Sequence, residues 1–292
     1  MPEPESIKIF PFKLATTSFI YPDRIVPNVI KLGSFFDEIE LLIFESRPFI
    51  PKGDINGTLN SDKAINVLPS SKEIKQLSDL SQNLDVTYNI HLPVDVSLTD
   101  KSKSKRHVAI DTIKRVIELC APLNPSTHTL HLEFNIDFPD YFAVQGVLIQ
   151  DGQSCNNCGK AAYVHQEFQS NKNLSNAAYV RQGYLNRWDE LEQDYLHRWR
   201  DLAGESLEKL SSFLSDPSII SIETLNYPFK YIDDIIEACG MSVCIDAGHL
   251  IRYGYSIEEV FQKHKTRIPL IHLHGVDFSS NIPKDHQAID KT

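Results

Sequence analysis

The stretch that decides the fold is Val243-Cys244-Ile245-Asp246-Ala247-Gly248-His249-Leu250, an apolar run that ends in an acid, a glycine and a histidine. The alternation before Asp246 predicts a strand with this carboxylate at its C-terminal end. Gly248 then allows a turn that brings His249 back beside Asp246. A carboxylate and an imidazole directed at one point suit a divalent metal such as zinc or manganese. An N-capping aspartate with a hydrogen-bonded histidine explains the stretch equally well, so the choice depends on the other strands.

The composition is that of a globular protein large enough for one α/β barrel or for two smaller domains. The chain has 292 residues, of which 41% are hydrophobic and 23% are charged. Its formal net charge of -10 argues against a nucleic-acid partner, since gripping a phosphate backbone requires a basic face. A small anionic substrate stays compatible with this charge, because bound metals supply local positive charge.

The sequence predicts neither membrane insertion nor secretion. Its apolar runs are shorter than the roughly 20 residues that cross a bilayer. Residues 1–6 lack the basic and apolar regions of a secretion signal, so we expect a cytoplasmic protein without a membrane partner. The five cysteines are odd in number and mostly lie in apolar runs, which favours reduced thiols over disulfides.

Strand and helix patterns alternate along the chain. Strands are predicted at 13–20, 38–45, 86–91, 127–134, 219–225, 243–246 and 270–276. Helices are predicted between them, two of which begin with capping signatures at Ser70/Glu73 and Ser256/Glu259. This alternation predicts a parallel sheet with helices outside it. Because no Gly-rich phosphate loop follows any strand, a (β/α)8 TIM barrel that fills 1–292 as a single domain is favoured over an open doubly wound sheet.

Two parts of the chain depart from a regular barrel. Residues 137–200 form a predicted insertion between strand four and its helix, and its aromatic residues suggest a cover that packs on a flat substrate; an ordinary packed excursion explains it equally well. Cys155 and Cys158 within it have the spacing of half a zinc knuckle, without a second pair nearby. The eighth strand is missing, because only six residues follow His286. Either the chain is truncated, or a neighbouring molecule or the N-terminal residues close the barrel.

Polar side chains follow most predicted strands at the C-terminal end, where the catalytic groups of such barrels project. The metal-ligand candidates are His91, His131, Glu223, Asp246, His249, His272, Asp285 and His286, and the acid-base or substrate-orienting candidates are Glu45, Glu133 and His274. Two strands carry a pair of candidates two positions apart, and we predict that each pair faces the barrel interior because the intervening Leu132 and Leu273 suit the helix layer. So many imidazoles and carboxylates without a cation would repel one another, whereas a metal centre relieves that cost.

The number of candidates exceeds the needs of one ion. Three or four ligands hold a single ion, which is enough to polarise a sugar carbonyl and support isomerisation. Two or three ions a few ångströms apart are usual in enzymes that cut phosphate esters. Surplus histidines also orient metal ligands from outside, so both reaction types stay open at this point.

The motifs resemble those of the xylose isomerase-like TIM barrel superfamily, on the branch that includes endonuclease IV. The matching pieces are Ile-Glu-Thr-Leu at 222–225, Val-Cys-Ile-Asp-Ala-Gly-His at 243–249, Ile-His-Leu-His-Gly-Val-Asp at 271–277, His91 and His131. The resemblance implies a trinuclear zinc centre with ligands at His91, His131, Glu223, Asp246, His249 and His272. Asp285 and His286 are adjacent here, whereas endonuclease IV has one residue between its Asp and His. The Glu that the eighth strand contributes in that enzyme is absent.

A closer set of motifs resembles the cobamide-remodelling phosphodiesterases of the same superfamily. The set runs through 16–22, 39–46, 88–95, 130–133, 223–229, 246–250, 272–276 and 285–286. This resemblance implies hydrolysis at the phosphoribosyl bond in the nucleotide loop of a cobamide, a small molecule of the vitamin B12 type, with two or three zinc or manganese ions. The alternatives are a single-metal sugar phosphate isomerase or epimerase of the same superfamily, and a non-catalytic corrinoid-binding protein.

Overall fold

The computed structural model describes residues 11–48, 67–134, 193–279 and 283–289. The chain divides into two compact units, which are taken here in turn. Unit 1 is Met1–Val96 with Val108–Leu130, and unit 2 is Ser97–His107 with His131–Thr292. The single barrel domain that the sequence suggests stays a prediction. Most of the predicted insertion at 137–200, with Cys155 and Cys158, lies outside the described residues.

Unit 1 is built on parallel strands. In chain order they are β1 (Ala15–Thr17), β2 (Glu38–Leu42), β3 (Glu45–Pro48), β4 (Val67–Leu68), β5 (Thr87–His91) and β6 (His128–Leu130). β1, β2, β5 and β6 pair in that order, and β3 and β4 form a separate short parallel pair. The second predicted strand therefore ends before Glu45, which instead begins β3. Beside it, Asp95 accepts hydrogen bonds from the backbone N–H and the hydroxyl of Ser46, at 2.9 and 3.0 Å.

Three helices accompany these strands, namely α1 (Ile25–Leu32), α2 (Ser71–Leu84) and α3 (Lys103–Cys120). The predicted capping box of α2 is confirmed: the hydroxyl of Ser70 accepts from the backbone N–H of Glu73, whose carboxylate accepts from the backbone N–H of Ser70. α3 buries Ala109, Ile113 and Cys120. α1 buries Ile25, Val29 and Leu32, whereas its Ile30 is 59% exposed.

Unit 2 alternates helices and strands. Its elements are α4 (Gln193–Ser211), β7 (Ile220–Glu223), α5 (Asp233–Ala238), β8 (Ser242–Asp246), α6 (Ala247–Tyr253), α7 (Ile257–His264), β9 (Leu270–His272), β10 (Gly275–Asp277) and β11 (Lys284–Gln287). β8 lies between β7 and β9, and all three are parallel. Ser256 caps α7 as predicted. Gly240 adopts a φ of 68° beyond the end of α5, which is the left-handed conformation expected for a helix-ending glycine.

The strand predicted at 270–276 is two strands that run in different sheets. β9 ends at His272, and β10 pairs antiparallel with β11 rather than extending the parallel sheet. The backbone N–H of His286 in β11 donates to Nδ1 of His274, which helps hold the hairpin in place. Leu273 lies at this change of direction and is 69% exposed, so the prediction that it faces the helix layer is wrong, whereas Leu132 is fully buried.

None of the helices that the structure describes combines sufficient length with sufficient apolar character to cross a membrane.

A buried ionic network joins α5 to α7 in unit 2. The carboxylate of Asp233 lies 2.8 Å from Nε2 of His264 and accepts a hydrogen bond from Lys263. Burial alone would raise the pKa of Asp233, but the hydrogen bonds from His264 and Lys263 outweigh it and the pKa is lowered. The ionised form of Asp233 therefore stabilises the folded unit.

We expect Asp233→Asn to lower the free energy of unfolding by about 1–2 kcal/mol at neutral pH. The pKa of Asp233 is lower in the folded state than in the unfolded state. Its contribution to stability is therefore fully present at a pH above the unfolded-state pKa of about 3.9, and it is lost as the pH falls through the folded-state pKa. Denaturant titrations at several pH values should show the gap between wild type and variant closing in acid. Asp234→Asn is the matched control, since Asp234 forms an exposed pair with Arg200. A gap of equal size in acid and at neutral pH would refute the assignment.

Candidate metal centre

Two neighbouring strands of unit 2 each end in a buried carboxylate. Glu223 is the last residue of β7 and Asp246 is the last residue of β8, and each is only 2% exposed. The two side chains lie at the same edge of the sheet because β7 and β8 are parallel and adjacent. A buried carboxylate is costly unless cations or hydrogen-bond donors surround it, so its neighbours define the chemistry of the site.

Imidazoles surround Glu223. Its Oε2 lies 2.9 Å from Nε2 of His131, and its Oε1 lies 3.4 Å from Nδ1 of His272 and 3.6 Å from Nδ1 of His249. Burial would raise the pKa of Glu223, but the charges and hydrogen bonds of His131 and His272 hold it well below its usual range. Burial likewise lowers the pKa of His131, yet the attraction of Glu223 raises it overall. Glu223 is therefore ionised inside a cage of nitrogen atoms.

Asp246 caps a helix and also faces the imidazoles. Its Oδ1 accepts a hydrogen bond of 2.6 Å from the backbone N–H of His249, so the N-cap explanation of this stretch is confirmed. The same carboxylate lies 2.9 Å from Nε2 of His274 and 3.7 Å from Nδ1 of His272. Burial raises the pKa of Asp246, but hydrogen bonds from His272 and His274 lower it to about 2. Asp246 therefore caps α6 and at the same time lies close enough to the imidazoles to be a potential metal ligand.

Gly248 has a different role from the one that the sequence suggested. The chain turns after Asp246 by entering the first turn of α6, in which Gly248 is an ordinary helical residue. A Cβ at this position would lie 2.0 Å from Cε1 of the His274 ring. Gly248 is therefore needed for the close approach of His274 rather than for backbone freedom.

The β10–β11 hairpin carries the last two predicted ligands into the site. The ring of His286 stacks on that of His274, with centroids 4.3 Å apart. Oδ1 of Asp285 lies 3.3 Å from Nδ1 of His286, and its Oδ2 accepts a hydrogen bond from Arg252 and lies 4.0 Å from Nε2 of His249. Burial raises the pKa of Asp285, but His286 and Arg252 lower it strongly overall.

Within unit 2 these side chains form two sets of three potential ligands. The inner group is Glu223, Asp246 and His272, and the outer group is His249, His274 and His286. In each group the three ligand atoms lie within 4.8 Å of one another, and no residue belongs to both. The inner group is mixed oxygen and nitrogen, whereas the outer group offers nitrogen alone and includes His286, which is 68% exposed at its side chain. His274 is thus among the potential ligands, although its spacing suggested acid-base work.

His91 and Glu45 belong to unit 1, and their roles stay predictions. His91 ends β5 and is buried; its Nδ1 lies 3.0 Å from the carbonyl oxygen of Leu92, and its ring packs edge-on against Phe44. Glu45 begins β3, where it lies 3.8 Å from Nη2 of Arg47. His91 is thus the last residue of a parallel strand, and Glu45 lies three positions after the end of β2.

Glu133 stands on a fixed stretch of backbone in unit 2. Its carbonyl oxygen accepts hydrogen bonds from the hydroxyl of Thr99 at 2.7 Å and from the indole N–H of Trp199 at 3.0 Å. Trp199 itself is fully buried. The negative charge of Glu133 contributes to the raised pKa of His131.

Two functional residues escaped the sequence analysis. Arg252 follows His249 by three positions on α6, a spacing that places both on one helix face and that could have identified it. Thr224 follows Glu223 directly; its hydroxyl accepts from the backbone N–H of Asp246, and its carbonyl oxygen lies 3.1 Å from Nδ1 of His249. No sequence signal distinguishes this threonine from a core residue.

Neither a family model nor a curated protein matches the chain. Solved structures do. A D-tagatose 3-epimerase-like protein is 14% identical with a TM-score of 0.57, over 92% of this chain and 79% of that chain. A D-psicose 3-epimerase is 13% identical with a TM-score of 0.53, over 89% and 72%. The 3-keto-D-glucoside 4-epimerase of E. coli is 11% identical with a TM-score of 0.51, over 89% and 78%. The likeness concerns the fold, so the chain has the α/β fold of a TIM barrel, as its alternation of strands and helices predicts.

Proposed function

We propose that the chain is a metal-dependent phosphodiesterase that binds two divalent ions side by side in the inner and outer groups. The observation that carries this proposal is the presence of two complete sets of three potential ligands that share no residue. One ion needs three or four protein ligands, so two such sets exceed the requirement of single-ion chemistry.

The residues fit the ions. Carboxylates and imidazoles suit zinc, manganese and iron, and the all-nitrogen outer group suits zinc. Glu223 and Asp246 are buried and ionised, so bound cations would compensate charges that the fold already holds in place. Bound there, divalent ions polarise a phosphoryl oxygen and ease the deprotonation of water.

The chain supplies the proton transfer. Glu133 is the acid-base candidate in unit 2, because Thr99 and Trp199 fix its backbone and its charge acts on His131. We infer that Glu133 acts as the general acid or base at the reacting oxygen. Thr224 keeps Asp246 and His249 in place through its hydroxyl and its carbonyl oxygen.

We further propose a cobamide as the substrate, with cleavage at the phosphoribosyl bond of its nucleotide loop. The support is the ordered set of sequence motifs described above, together with an acidic net charge that suits a small substrate better than a nucleic acid. In unit 1, Phe19, Ile20 and Tyr21 follow β1 and are exposed, which offers apolar surface at the carboxyl ends of the strands for a flat ligand.

A second candidate is a single-ion sugar isomerase or epimerase, and the comparisons favour it. The solved structures with the same fold include proteins named as epimerases of D-tagatose type, of D-psicose and of a 3-keto-D-glucoside. The inner group alone is sufficient for one ion that polarises a sugar carbonyl. At these low identities the likeness concerns the fold, so the number of ions decides between the two reactions.

The two functions differ in measurable ways. We expect elemental analysis to give two ions per chain, and mass spectrometry to detect a corrinoid phosphate and a free nucleoside after incubation with a cobamide. One ion per chain with isomerisation of a ketose would establish the second candidate. Tight cobamide binding without turnover in added zinc or manganese would indicate a corrinoid-binding protein.

Substitutions in the two groups should remove one ion each. His272→Ala removes a ligand of the inner group, and His286→Ala removes a ligand of the outer group, so each variant should retain one of two ions. Equilibrium dialysis with zinc followed by elemental analysis measures the stoichiometry. His107→Ala is the control, since His107 is exposed on α3 and belongs to neither group. Two ions retained in both site variants would contradict the assignment of the groups.

The space beside Gly248 gives an independent test. Gly248→Ala should displace the His274 ring and weaken zinc binding at the outer group by about 10- to 100-fold, because orienting contacts have effects of this size. Gly204→Ala is the matched control, since a Cβ there meets nothing closer than 4.0 Å. Calorimetric titration measures both, and circular dichroism checks the fold. Equal zinc affinities in the two variants would show that His274 is not a ligand.

A further inference from the structure

The carboxylate of Asp285 is engaged by other residues of the chain. Its Oδ2 accepts a hydrogen bond from the guanidinium of Arg252, and its Oδ1 lies 3.3 Å from Nδ1 of His286. Neither the inner nor the outer group contains Asp285. Asp285 is a ligand candidate from the sequence, but its contacts favour a different role.

The contacts of His286 divide the functions of its two ring nitrogens. Nδ1 faces the carboxylate of Asp285, which leaves Nε2 as the nitrogen directed away from it. The ring is held on its flat side by His274, and the backbone N–H donates to Nδ1 of that residue. The backbone at His286 has a φ of 54°, a conformation uncommon for a residue other than glycine. Contacts of the side chain must therefore maintain this placement.

Arg252 connects the helix to the hairpin. It lies three residues after His249 on α6, so one helix face carries both a potential ligand and the cation that holds Asp285. β11 carries Asp285 and His286 as consecutive residues. The ion pair therefore links the part of the outer group on α6 to the part on the hairpin.

We propose that Arg252 and Asp285 are positioning residues for His286. Arg252 fixes the carboxylate of Asp285, which accepts the Nδ1–H of His286 and so presents Nε2 to the ion of the outer group. Carboxylates that orient a ligating imidazole in this way are common around protein-bound metals. The inference rests on the proposed function, because it requires an ion at the outer group.

A ligand role for Asp285 predicts the opposite effect of removing Arg252. If the carboxylate bound the ion directly, the guanidinium would compete with the ion for it, and removal of the guanidinium would strengthen metal binding. If Asp285 only orients His286, removal of the guanidinium loosens the carboxylate and the imidazole together, and metal binding weakens. The sign of the change separates the two roles.

Cobalt(II) titrations of the full chain, followed by absorption spectroscopy, make this measurement. We expect Arg252→Gln and Asp285→Asn each to weaken the outer ion by about 10- to 100-fold and to leave the inner ion unchanged. Arg252→Lys should recover part of the loss. The cobalt bands of Asp285→Asn should keep their positions, because the ligand set is unchanged. Arg200→Gln is the control, since Arg200 also pairs with an aspartate in unit 2 and neither residue belongs to a ligand group.

Three results would overturn the proposal. They are unchanged or tighter cobalt binding in Arg252→Gln, shifted cobalt bands in Asp285→Asn, and a metal-free His286 protonated at Nε2 alone. Nitrogen NMR of the metal-free chain at alkaline pH shows which ring nitrogen of His286 carries the proton. We expect the proton on Nδ1 in the wild type, and we expect this preference to be lost in Asp285→Asn. Absence of a second ion in wild type would refute the two-ion function as well, whereas a second ion that ignores Arg252 would refute the positioning role alone.

Discussion

The constraint on which the site depends is the burial of two negative charges at the ends of adjacent strands. Glu223 and Asp246 lie almost out of contact with solvent, so each must be surrounded by groups that carry or donate protons. His131, His249, His272 and His274 meet that need, and they come from three separate segments of the chain. The two carboxylates thus determine the place in unit 2 at which the ends of the strands, the start of α6 and the β10–β11 hairpin come together.

That convergence explains the chemistry that the site supports. Imidazoles arranged around ionised carboxylates become metal ligands once they lose their protons, without a change in the backbone. The two groups differ in exposure, since Glu223 and Asp246 of the inner group are deeply buried while His286 of the outer group faces solvent. In the proposed two-ion enzyme, the buried inner group would hold one ion firmly and the open outer group would let the other meet a substrate.

Much of the fold and part of the site could be predicted because their signals are local. The alternation of strand and helix, the capping residues of α2 and α7 and the position of Asp246 follow from nearest neighbours in the sequence. The β10–β11 hairpin could not be predicted, because Ile271 to Val276 alternates as one strand and only the contact of His286 with His274 divides it. The pairing of Arg252 with Asp285 could not be predicted for the same reason, since the two residues are 33 positions apart in sequence. Whether His91 and Glu45 serve the site is a prediction that stays open to test.

The close approach of Gly248 and His274 has a consequence for the history of such chains. The ring occupies the volume that any larger residue at 248 would need, and the two positions are 26 residues apart in sequence. Relatives that carry a small side chain at the first position without an imidazole at the second would leave a void, and the reverse combination would clash. We therefore expect positions 248 and 274 to change together among related chains. Their covariation would show which of those chains retain the three imidazoles of the outer group.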